Sequence, residues 1–589
     1  EPWKTFGRPR LFFGVSAGNM DSMINHYTAN KKVRNDDAYS PDGQIGLRPD
    51  RATLSYCQRA REAFKGVPII AGGVEASLRR IAHYDYWSDT VRRSIIFDAK
   101  ADLIGFGMGE RAIIEAARRL QAGEPIEQLR NLRGVAYRLG ASGTPPTENV
   151  VVLPSFEEVS TDKLAFAEMT RIAHLETNPG NAKTLVQAHG REWVVVNPPA
   201  IPLNEAEMDR VYGLPFTRKP HPIYGSKKIP AYDVVKHSVQ IMRGCFGGCT
   251  FCSITAHEGR IIQSRSQASI VSEIERMKDD PDFKGVVSDI GGPTANMYQM
   301  KCSRPEVEAK CRRLSCVHPK ICKLLGSDHG PLIQLMKASR DVEGVRKVHV
   351  ASGIRMDLAR RSPEYMDELV RHHVGGRLKV APEHVSGEVL DLMKKPGPED
   401  FLEFTNEFHA ASEAAGKKQQ IVPYFIASHP GSDLNSMIDL AVFLKKNRYR
   451  PDQVQDFIPS PFDIAACMYH SGVDPFTKKP VYIAKHLRDR KLQRALLQFF
   501  KPENYFEVRQ ALEQAGRRDL IGGGCDCLIA SVPPKEALDA RRRAANAAVQ
   551  GEHVHKVPNG SGGGKGSAGK AGYRPNRKTA KRQDRPGKR

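Results

Sequence analysis

The chain has 589 residues, of which 40% are hydrophobic and 26% charged, and its formal net charge at pH 7 is +22. This composition is typical of soluble globular proteins, and the length suggests about three or four domains. No segment approaches the roughly 18 apolar residues of a membrane span, and the opening EPWKTFGRPRLFFG lacks the layout of a signal peptide. We therefore predict a cytoplasmic protein without membrane contact. The first residue is Glu1 rather than Met, so we expect a short piece to precede it.

Residues 1–123 alternate short apolar runs with helical patterns, as in VPIIAGGVEASLRR and ADLIGFGMGERAIIEAARRL. Such alternation predicts βα units and hence a doubly wound parallel sheet. The turns at 71–77 and 105–110 follow predicted strands, where ligands of open α/β sheets usually bind. Neither turn matches a dinucleotide fingerprint, and glycines that only permit tight turns explain them equally well. Residues 124–230 have a weaker pattern and are predicted to form a connecting subdomain without assigned chemistry.

The βα alternation returns in residues 231–465. Six apolar runs, separated by helical segments, predict parallel strands at 237–244, 285–292, 347–354, 377–384, 420–428 and 453–461. Sequential parallel strands with right-handed crossovers curl into a partial (β/α)6 barrel. Functional residues of such barrels lie at the carboxyl ends of the strands. A helical extension is predicted at 466–540, followed by a tail at 541–589.

The eleven cysteines are expected to be metal ligands, core residues or catalytic thiols, because disulfides are rare in a reducing compartment. Cys57 and Cys467 stand alone and are predicted to be buried core residues. The other cysteines form three groups: Cys245, Cys249 and Cys252; Cys302, Cys311, Cys316 and Cys322; and Cys525 and Cys527.

The first group lies in the loop RGCFGGCTFCSITAHEGR, directly after the first predicted barrel strand. Its CxxxCxxC spacing allows one loop to wrap a 4Fe-4S cube, and three ligands leave one of four irons open. The glycines permit tight turns close to the sulfides. The alternatives are a three-cysteine zinc site completed by His257, or a chance cluster.

The second group lies in an insert at 300–325, between the second strand and the next helix. Its four cysteines are interleaved with Lys and Arg, which favour thiolates. Their irregular spacing matches neither zinc-ribbon pairs nor a ferredoxin run. An auxiliary iron–sulfur cluster, a structural zinc and reduced free thiols remain open as interpretations.

The tail is basic and poor in large apolar residues: residues 551–589 contain 11 Lys or Arg against 2 Asp or Glu. Such a segment cannot offset its ordering entropy, so we predict disorder. It is either a nonspecific RNA tether, whose affinity falls with salt, or a solubilising tail.

The cysteine loop and several downstream segments resemble radical S-adenosylmethionine (SAM) enzymes, in the branch that includes the tRNA methylthiotransferases. DIGGP resembles the Gly-Gly turn that receives the SAM amino group, APEHVSGEVLDLMKKPG the fourth-strand motif, and FIASHPGSDLNSM the fifth-strand turn. Together with SAGNMDSMINHYTANKK, HHVGGRLKVAPEH and VQDFIPSPFDIAACMY, these segments resemble the YgiQ family, whose substrate is not established. The resemblance covers about residues 8 to 535.

The resemblance implies a 4Fe-4S cluster on Cys245, Cys249 and Cys252, and reductive cleavage of SAM to a 5′-deoxyadenosyl radical. Gly291 and Gly292 are expected to approach SAM, Arg265 its carboxylate, and Glu383 or His384 the adenosine or the substrate. For the last three residues, a structural ion pair or a satisfied polar group is an equal alternative. Catalytic residues are not assigned, and Pro293 stands where many relatives have an acidic residue.

The resemblance also implies a cobalamin-binding-like fold for residues 1–123. We do not expect cobalamin itself, because no Asp-x-His-x-x-Gly occurs in residues 1–125. The expected partners are an electron donor such as flavodoxin or ferredoxin, and RNA through the basic tail. A noncatalytic iron–sulfur protein that binds RNA or relays electrons is the alternative function.

Overall fold

The computed structural model describes residues 2–18 and 20–548. Its last helix, Lys535–Ala548, runs past residue 541, where the sequence predicts the start of the tail. The rest of the predicted tail, 549–589, lies outside the described residues. Within those residues, every helix is too short or too polar to cross a membrane.

A seven-stranded sheet forms the core of the first third of the chain. Its strands Phe13–Ser16, Ile69–Gly72 and Leu103–Gly105 are parallel, as the βα pattern predicts. Ile69 and Ala71 belong to one apolar cluster and Ile70 to another. Because successive side chains of a strand point to opposite faces, this continuous apolar run shows that the sheet is covered on both faces.

The predicted boundary between residues 123 and 124 falls inside this sheet. Strand Val135–Leu139 pairs antiparallel with Leu103–Gly105, and the sheet continues through Glu192–Val196, Thr184–His189 and Val150–Val152. The connecting residues extend the first sheet because they pair with its open edge. The α/β class is confirmed, and the sheet is mixed rather than parallel throughout.

Short helices cover the two faces of the sheet, and a small hairpin pairs the buried strand His83–Asp85 with Thr90–Arg92. Two helices begin with capping boxes, at Ser155 and Asn204, which satisfy free N–H groups of the first turn. The helices of this part are Ser22–His26, Ala52–Ala63, Gly73–Leu78, Ile95–Ala99, Glu110–Gln121, Phe156–Thr161, Lys163–Leu175, Glu205–Tyr212 and Pro230–Val235.

The six predicted barrel strands are present, in chain order, and are called barrel strands one to six. They are Ser238–Gln240, Val286–Val287 with Asp289–Gly291, Lys347–Val348, Arg377–Glu383, Gln420–Ala427 and Gln455–Asp456. Strand two pairs in parallel with strands one and three, and strand five with strands four and six. The partial barrel is confirmed.

Helices alternate with the barrel strands and bury Ile270, Leu335, Phe404 and Met437 against them. The helices of the barrel are Ile254–His257, Gln267–Met277, Pro305–Glu308, Gly330–Arg340, Met356–Ala359, Pro363–Glu368, Gly387–Met393, Pro398–Ala414, Leu434–Lys446 and Ile464–Ser471. The insert is closed at its base by an antiparallel pair, Lys301–Cys302 with Leu325–Gly326.

The C-terminal extension is helical, as predicted, with helices Leu487–Leu497, Tyr505–Gln514 and Lys535–Ala548. Buried Leu496 and Leu512 pack with Phe425 of barrel strand five and Leu440 of the following helix. The extension therefore covers the outside of the barrel near strand five.

Candidate functional site

The cysteine loop follows barrel strand one and closes onto residues 258–261. Gly244 N–H donates to the Glu258 carboxylate at 2.9 Å, and Cys245 N–H donates to the Gly259 carbonyl at 3.1 Å. Gly244 and Gly248 have φ of +84° and +69°, a conformation that L side chains rarely adopt. A Cβ at residue 244 would lie 2.4 Å from the Ile261 carbonyl oxygen. The glycines therefore let the loop fold tightly enough to gather its cysteines.

The thiols of Cys245 and Cys249 lie beside Gly247, and Cys252 lies near both of them. Gly247 N–H donates to Cys245 Sγ at 3.4 Å, and Cys252 N–H donates to the Cys249 carbonyl at 3.3 Å. Burial and the neighbouring Cys249 thiol raise the pKa of Cys245, and the same causes raise the pKa of Cys252. Metal binding must therefore displace protons from these thiols, which couples affinity to pH.

Arg355, which the sequence analysis did not single out, points a guanidinium into this group of thiols. Its Nε and Nη2 donate to the Asp357 carboxylate at 2.9 and 2.5 Å, while its buried Nη1 has no hydrogen-bond partner. Burial lowers the pKa of Arg355, but the Asp357 charge and its hydrogen bonds outweigh that cost and raise it. An unpaired buried donor beside the Cys245 and Cys249 thiols is matched to an anionic group.

Gly247 has no side chain, and this keeps open the space between the thiols and the guanidinium. A Cβ at Gly247 would lie 3.3 Å from Cys245 Sγ, 3.5 Å from Arg355 Nη1 and 4.0 Å from Cys249 Sγ. Among the described residues, no three His, Cys, Asp or Glu side chains are arranged to hold a single metal ion. His257, the predicted fourth zinc ligand, instead places Nδ1 3.1 Å from Ser77 Oγ of the first domain. The two thiols and the guanidinium at this opening, with Cys252 close by, are chemically suited to an anionic iron–sulfur cluster.

The Gly-Gly turn at the end of barrel strand two lies next to the loop, since Thr294 Oγ1 is 3.8 Å from Cys245 Sγ. Packing alone already requires both glycines. A Cβ at Gly291 would meet Ser352 Oγ at 1.8 Å, and a Cβ at Gly292 would meet Met242 Sδ at 2.5 Å. Their predicted approach to SAM stays a prediction.

Arg265 forms the structural ion pair that was the alternative to a SAM contact. It is fully buried, donates from Nη1 to Glu273 at 2.5 Å and to the Gln240 carbonyl at 3.0 Å, and uses Nε and Nη2 on Ser269. With all its nitrogens engaged by protein groups, no donor of Arg265 is left for a SAM carboxylate.

Glu383 and His384 lie at the end of barrel strand four, as predicted. Burial raises the pKa of Glu383, whose carboxylate is 4.0 Å from Lys395 Nζ. Burial lowers the pKa of His384 to about 4, and its ring nitrogens contact Ser386 N–H at 3.0 Å and Ser432 Oγ at 3.4 Å. His384 is thus a satisfied neutral group, and its contact with adenosine or substrate stays a prediction.

Backbone strain collects at the same end of the barrel. Glu383, Ser428 and Phe462 follow or end barrel strands four, five and six, and their φ values are +70°, +63° and +70°. Left-handed backbone is costly for residues other than glycine, so the surrounding structure must hold it in place. Three such residues at one rim mark the carboxyl ends as the functional face.

Two further polar residues at this rim were not singled out from the sequence. His429 stacks edge-on to Phe251, with ring centroids 5.7 Å apart, and its buried Nε2 has no partner. Asp463 accepts a hydrogen bond from Ser253 Oγ at 3.0 Å, and burial raises its pKa well above the usual range. The signal for both was their position directly after predicted strands five and six.

The first domain meets the barrel at this rim. Ser77 Oγ accepts from Gly107 N–H at 3.1 Å and contacts His257, and Arg80 lies between the rings of Phe106 and Phe462 at 4.6 and 3.9 Å. The cavity at this junction has a volume of about 60 Å³. The expectation that cobalamin itself is not bound stays a prediction.

The four insert cysteines lie around one space in the fold. Cys302, Cys311, Cys316 and Cys322 all line one cavity of about 210 Å³ between the barrel and the first domain. Cys57 and Cys467 are buried, as predicted. The third group is different, since Cys525 is exposed and Cys527 donates weakly to the Asp519 carbonyl at 3.6 Å.

Family models match consecutive parts of this chain. They are Radical SAM N-terminal over residues 1–238, Radical SAM superfamily over 239–444, and a domain of unknown function, DUF3362, over 452–588. The second match contains both the cysteine loop and the Gly-Gly turn. Fold and site therefore define a radical SAM enzyme, a class that implies a 4Fe-4S cluster and SAM.

Relatives extend the likeness over nearly the whole chain. UPF0313 proteins of Rhodopseudomonas palustris and Bradyrhizobium diazoefficiens are 54% and 53% identical, covering 91% of this chain and 83% of each relative. The UPF0313 protein YgiQ of Escherichia coli K12 is 48% identical over 92% of this chain and 81% of its own length. The chain belongs to the UPF0313 family of YgiQ-like radical SAM proteins.

Solved structures show only a distant likeness. The radical SAM methyltransferase TsrM of Kitasatospora setae is 13% identical with a TM-score of 0.43, covering 79% of this chain and 66% of that one. The cobalamin-dependent SAM radical enzyme OxsB is 13% identical with a TM-score of 0.38, covering 74% and 47%. No functional conclusion is drawn from likenesses this weak.

Proposed function

We propose that this chain cleaves SAM reductively and directs the resulting 5′-deoxyadenosyl radical at a hydrogen atom of an RNA substrate. One observation carries the first part: three thiols, the unpaired Nη1 of Arg355 and the Gly-Gly turn converge at the carboxyl ends of barrel strands one to three. When bound, a 4Fe-4S cluster supplies the electron for SAM cleavage and one open iron that chelates SAM.

The protein's own groups hold the cluster, balance its charge and shield the radical site from water. Cys245, Cys249 and Cys252 hold the cluster as thiolates, and Arg355 offsets the added negative charge through Nη1. Phe251 and His429 close one wall beside the third cysteine with apolar ring surface. Burial raises the pKa of Asp463, which disfavours a further negative charge near Cys252. These features keep water and competing charge from the radical site.

The test is reductive SAM cleavage by the reconstituted full chain. We expect 5′-deoxyadenosine and methionine to form with dithionite, or with reduced flavodoxin or ferredoxin as the cytoplasmic electron donor. An intact, reducible cluster that binds no SAM and forms no 5′-deoxyadenosine would favour the alternative, a noncatalytic iron–sulfur protein that binds RNA or relays electrons.

The RNA part of the proposal is supported by a basic groove on the insert beside the cysteine loop. The groove is open, has a volume of about 700 Å³, and is lined by no acidic residue. Its basic lining residues are Arg312, Arg313, His318, Lys320, Lys323 and Lys394. Clustered cations next to the radical site are suited to a phosphate backbone, and the basic tail would add nonspecific affinity.

Salt-dependent RNA binding tests this part. We expect deletion of residues 549–589, or the double change Lys320→Glu and Lys323→Glu, to weaken binding and flatten the slope of log affinity against log salt. The control changes two exposed lysines at the opposite end of the barrel, Lys278→Glu and Lys284→Glu. Equal slopes in all variants would remove RNA as the substrate, while unchanged 5′-deoxyadenosine formation would leave SAM cleavage standing.

A further inference from the structure

The four insert cysteines surround a closed space that no other function of the chain uses. Cys302 comes from the hairpin at the base of the insert, and Cys311, Cys316 and Cys322 come from its loop. We propose that Cys302, Cys311, Cys316 and Cys322 hold an auxiliary iron–sulfur cluster in this cavity.

The size of the space distinguishes a cluster from a single ion. The cavity of about 210 Å³ is several times the roughly 30 Å³ that a water molecule occupies in the liquid. A structural zinc needs four ligands converging at about 2.3 Å from one point. The four thiols line the wall of a cavity that is larger than a single ion requires.

The walls of the cavity are held from two sides. Asn178 of the first domain donates from Nδ2 to the carbonyls of Glu308 and Cys311, both at 2.8 Å. From the barrel, the Phe246 carbonyl accepts from Cys316 N–H at 3.0 Å, and Gly247 accepts from Ser315 Oγ at 2.7 Å. Free thiols in a solvated loop would not need such support.

Charge at the cavity also suits an anionic cluster. Lys301, Arg260 and Arg313 line it, against the one carboxylate of Glu308. Four thiolates around a cluster carry net negative charge, which these cations reduce.

Four protein ligands leave no iron open, so this cluster cannot chelate SAM in the way that a three-cysteine cluster can. The Phe246 carbonyl links the two sites directly: Phe246 follows Cys245 in the chain and bonds to the backbone of Cys316. The cluster therefore lies beside the SAM site and is suited to electron transfer or to fixing the insert. Each thiol releases its proton when it binds iron.

Metal and sulfide analysis of the full chain, reconstituted without oxygen, tests the proposal. We expect about eight irons per wild-type chain, and about four irons with sulfide in the triple variant Cys245→Ser, Cys249→Ser and Cys252→Ser. One zinc without sulfide in that variant would overturn the proposal in favour of a structural zinc. No bound metal would overturn it in favour of free thiols. Loss of SAM cleavage in the triple variant does not affect this count.

The reciprocal variant replaces Cys302, Cys311, Cys316 and Cys322 with Ser, and Cys525→Ser with Cys527→Ser serves as the matched control. We expect the first to lose about half of the iron and the control to lose none. If the first fails to fold, electron paramagnetic resonance of the reduced wild type still decides. Two cluster signals, only one of which changes with SAM, support the proposal, whereas a single signal that shifts completely overturns it.

Discussion

The two cysteine groups reach their sites in opposite ways. Cys245, Cys249 and Cys252 lie within eight residues of one loop, whose glycines and strand position bring the thiols together locally. The insert cysteines span Cys302 to Cys322 and line one cavity because the first domain and the barrel hold the insert from both sides. A local site follows from spacing, and a long-range site requires the folded domains.

The ligand count also separates the two groups. Three thiolates leave an iron open for SAM, and the unpaired Nη1 of Arg355 lies beside them. Four thiolates close the insert site to such chelation. On these proposals, cysteine thiolates support a reactive cluster with an open iron at one site, and a cluster whose irons all have protein ligands at the neighbouring site.

The largest effect is expected from Cys249→Ser. Because Ser is a poor iron ligand, the open-iron cluster should be lost and 5′-deoxyadenosine formation should fall at least about a hundredfold, which corresponds to roughly 2.7 kcal/mol. Product is measured by chromatography with and without SAM. Cys525→Ser is the control, since its side chain is exposed. A Cys249→Ser chain with wild-type turnover would refute the ligand assignment.

Arg355→Lys should have the next largest effect. Lys keeps the charge but loses the planar fork that binds Asp357 and aims Nη1 at the thiols. A charge-assisted hydrogen bond contributes about 1.5–3 kcal/mol, so SAM cleavage should fall roughly 10- to 100-fold, with a shift in the cluster's reduction potential. Asp357→Asn is the control for stability, because it leaves the guanidinium in place. An unchanged potential in Arg355→Lys would contradict this role.

Much of this architecture could be predicted from the sequence, because the governing interactions are local. Apolar periodicity located the barrel strands, and strand order then placed the cysteine loop at the carboxyl ends. The sheet shared by residues 1–123 and 124–196 could not be predicted, since it depends on the antiparallel pairing of Ile104 with Ala136. Short strands without a hairpin turn between them give no local signal for such pairing.

For the polar residues of the site, too, local motifs could be predicted from the sequence, whereas contacts between distant residues could not. Glu383 and His384 could be placed by motif, but the satisfied state of His384 depends on Ser432, which is distant in sequence. Arg355 was missed because its importance comes from one nitrogen without a partner, which only the packing around Asp357 creates. Arg265 looked like a SAM contact until Glu273 and Ser269 accounted for its donors.

Gly248→Ala should disturb both cysteine sites together. Its φ of +69° costs an L residue about 1–2 kcal/mol, and the new Cβ would lie 2.2 Å from the Leu314 carbonyl oxygen of the insert. We expect faster loss of iron to a chelator from both clusters and a lower unfolding temperature. Gly353→Ala is the matched control, because a Cβ there meets nothing within 4 Å. Loss confined to the SAM cluster would show that the two sites are not mechanically linked.

The smallest effect concerns pH and His329, which lies just after the insert and contacts Asn296, the residue that binds the backbone of Arg355. Burial lowers the pKa of His329 to about 4, against about 6.5 in an unfolded chain. Between these values the unfolded chain binds the proton and the folded chain does not. The stabilising contribution is therefore present above pH 6.5 and is lost as the pH falls towards 4, by at most about 1.4 kcal/mol per pH unit.

His329→Gln should flatten the fall in unfolding free energy between pH 7.5 and 5.5 relative to wild type, whereas the exposed His409→Gln should leave it unchanged. Any effect of acid on the clusters themselves is common to all three proteins, so identical slopes would mean that the pKa of His329 is the same in the folded and unfolded chain.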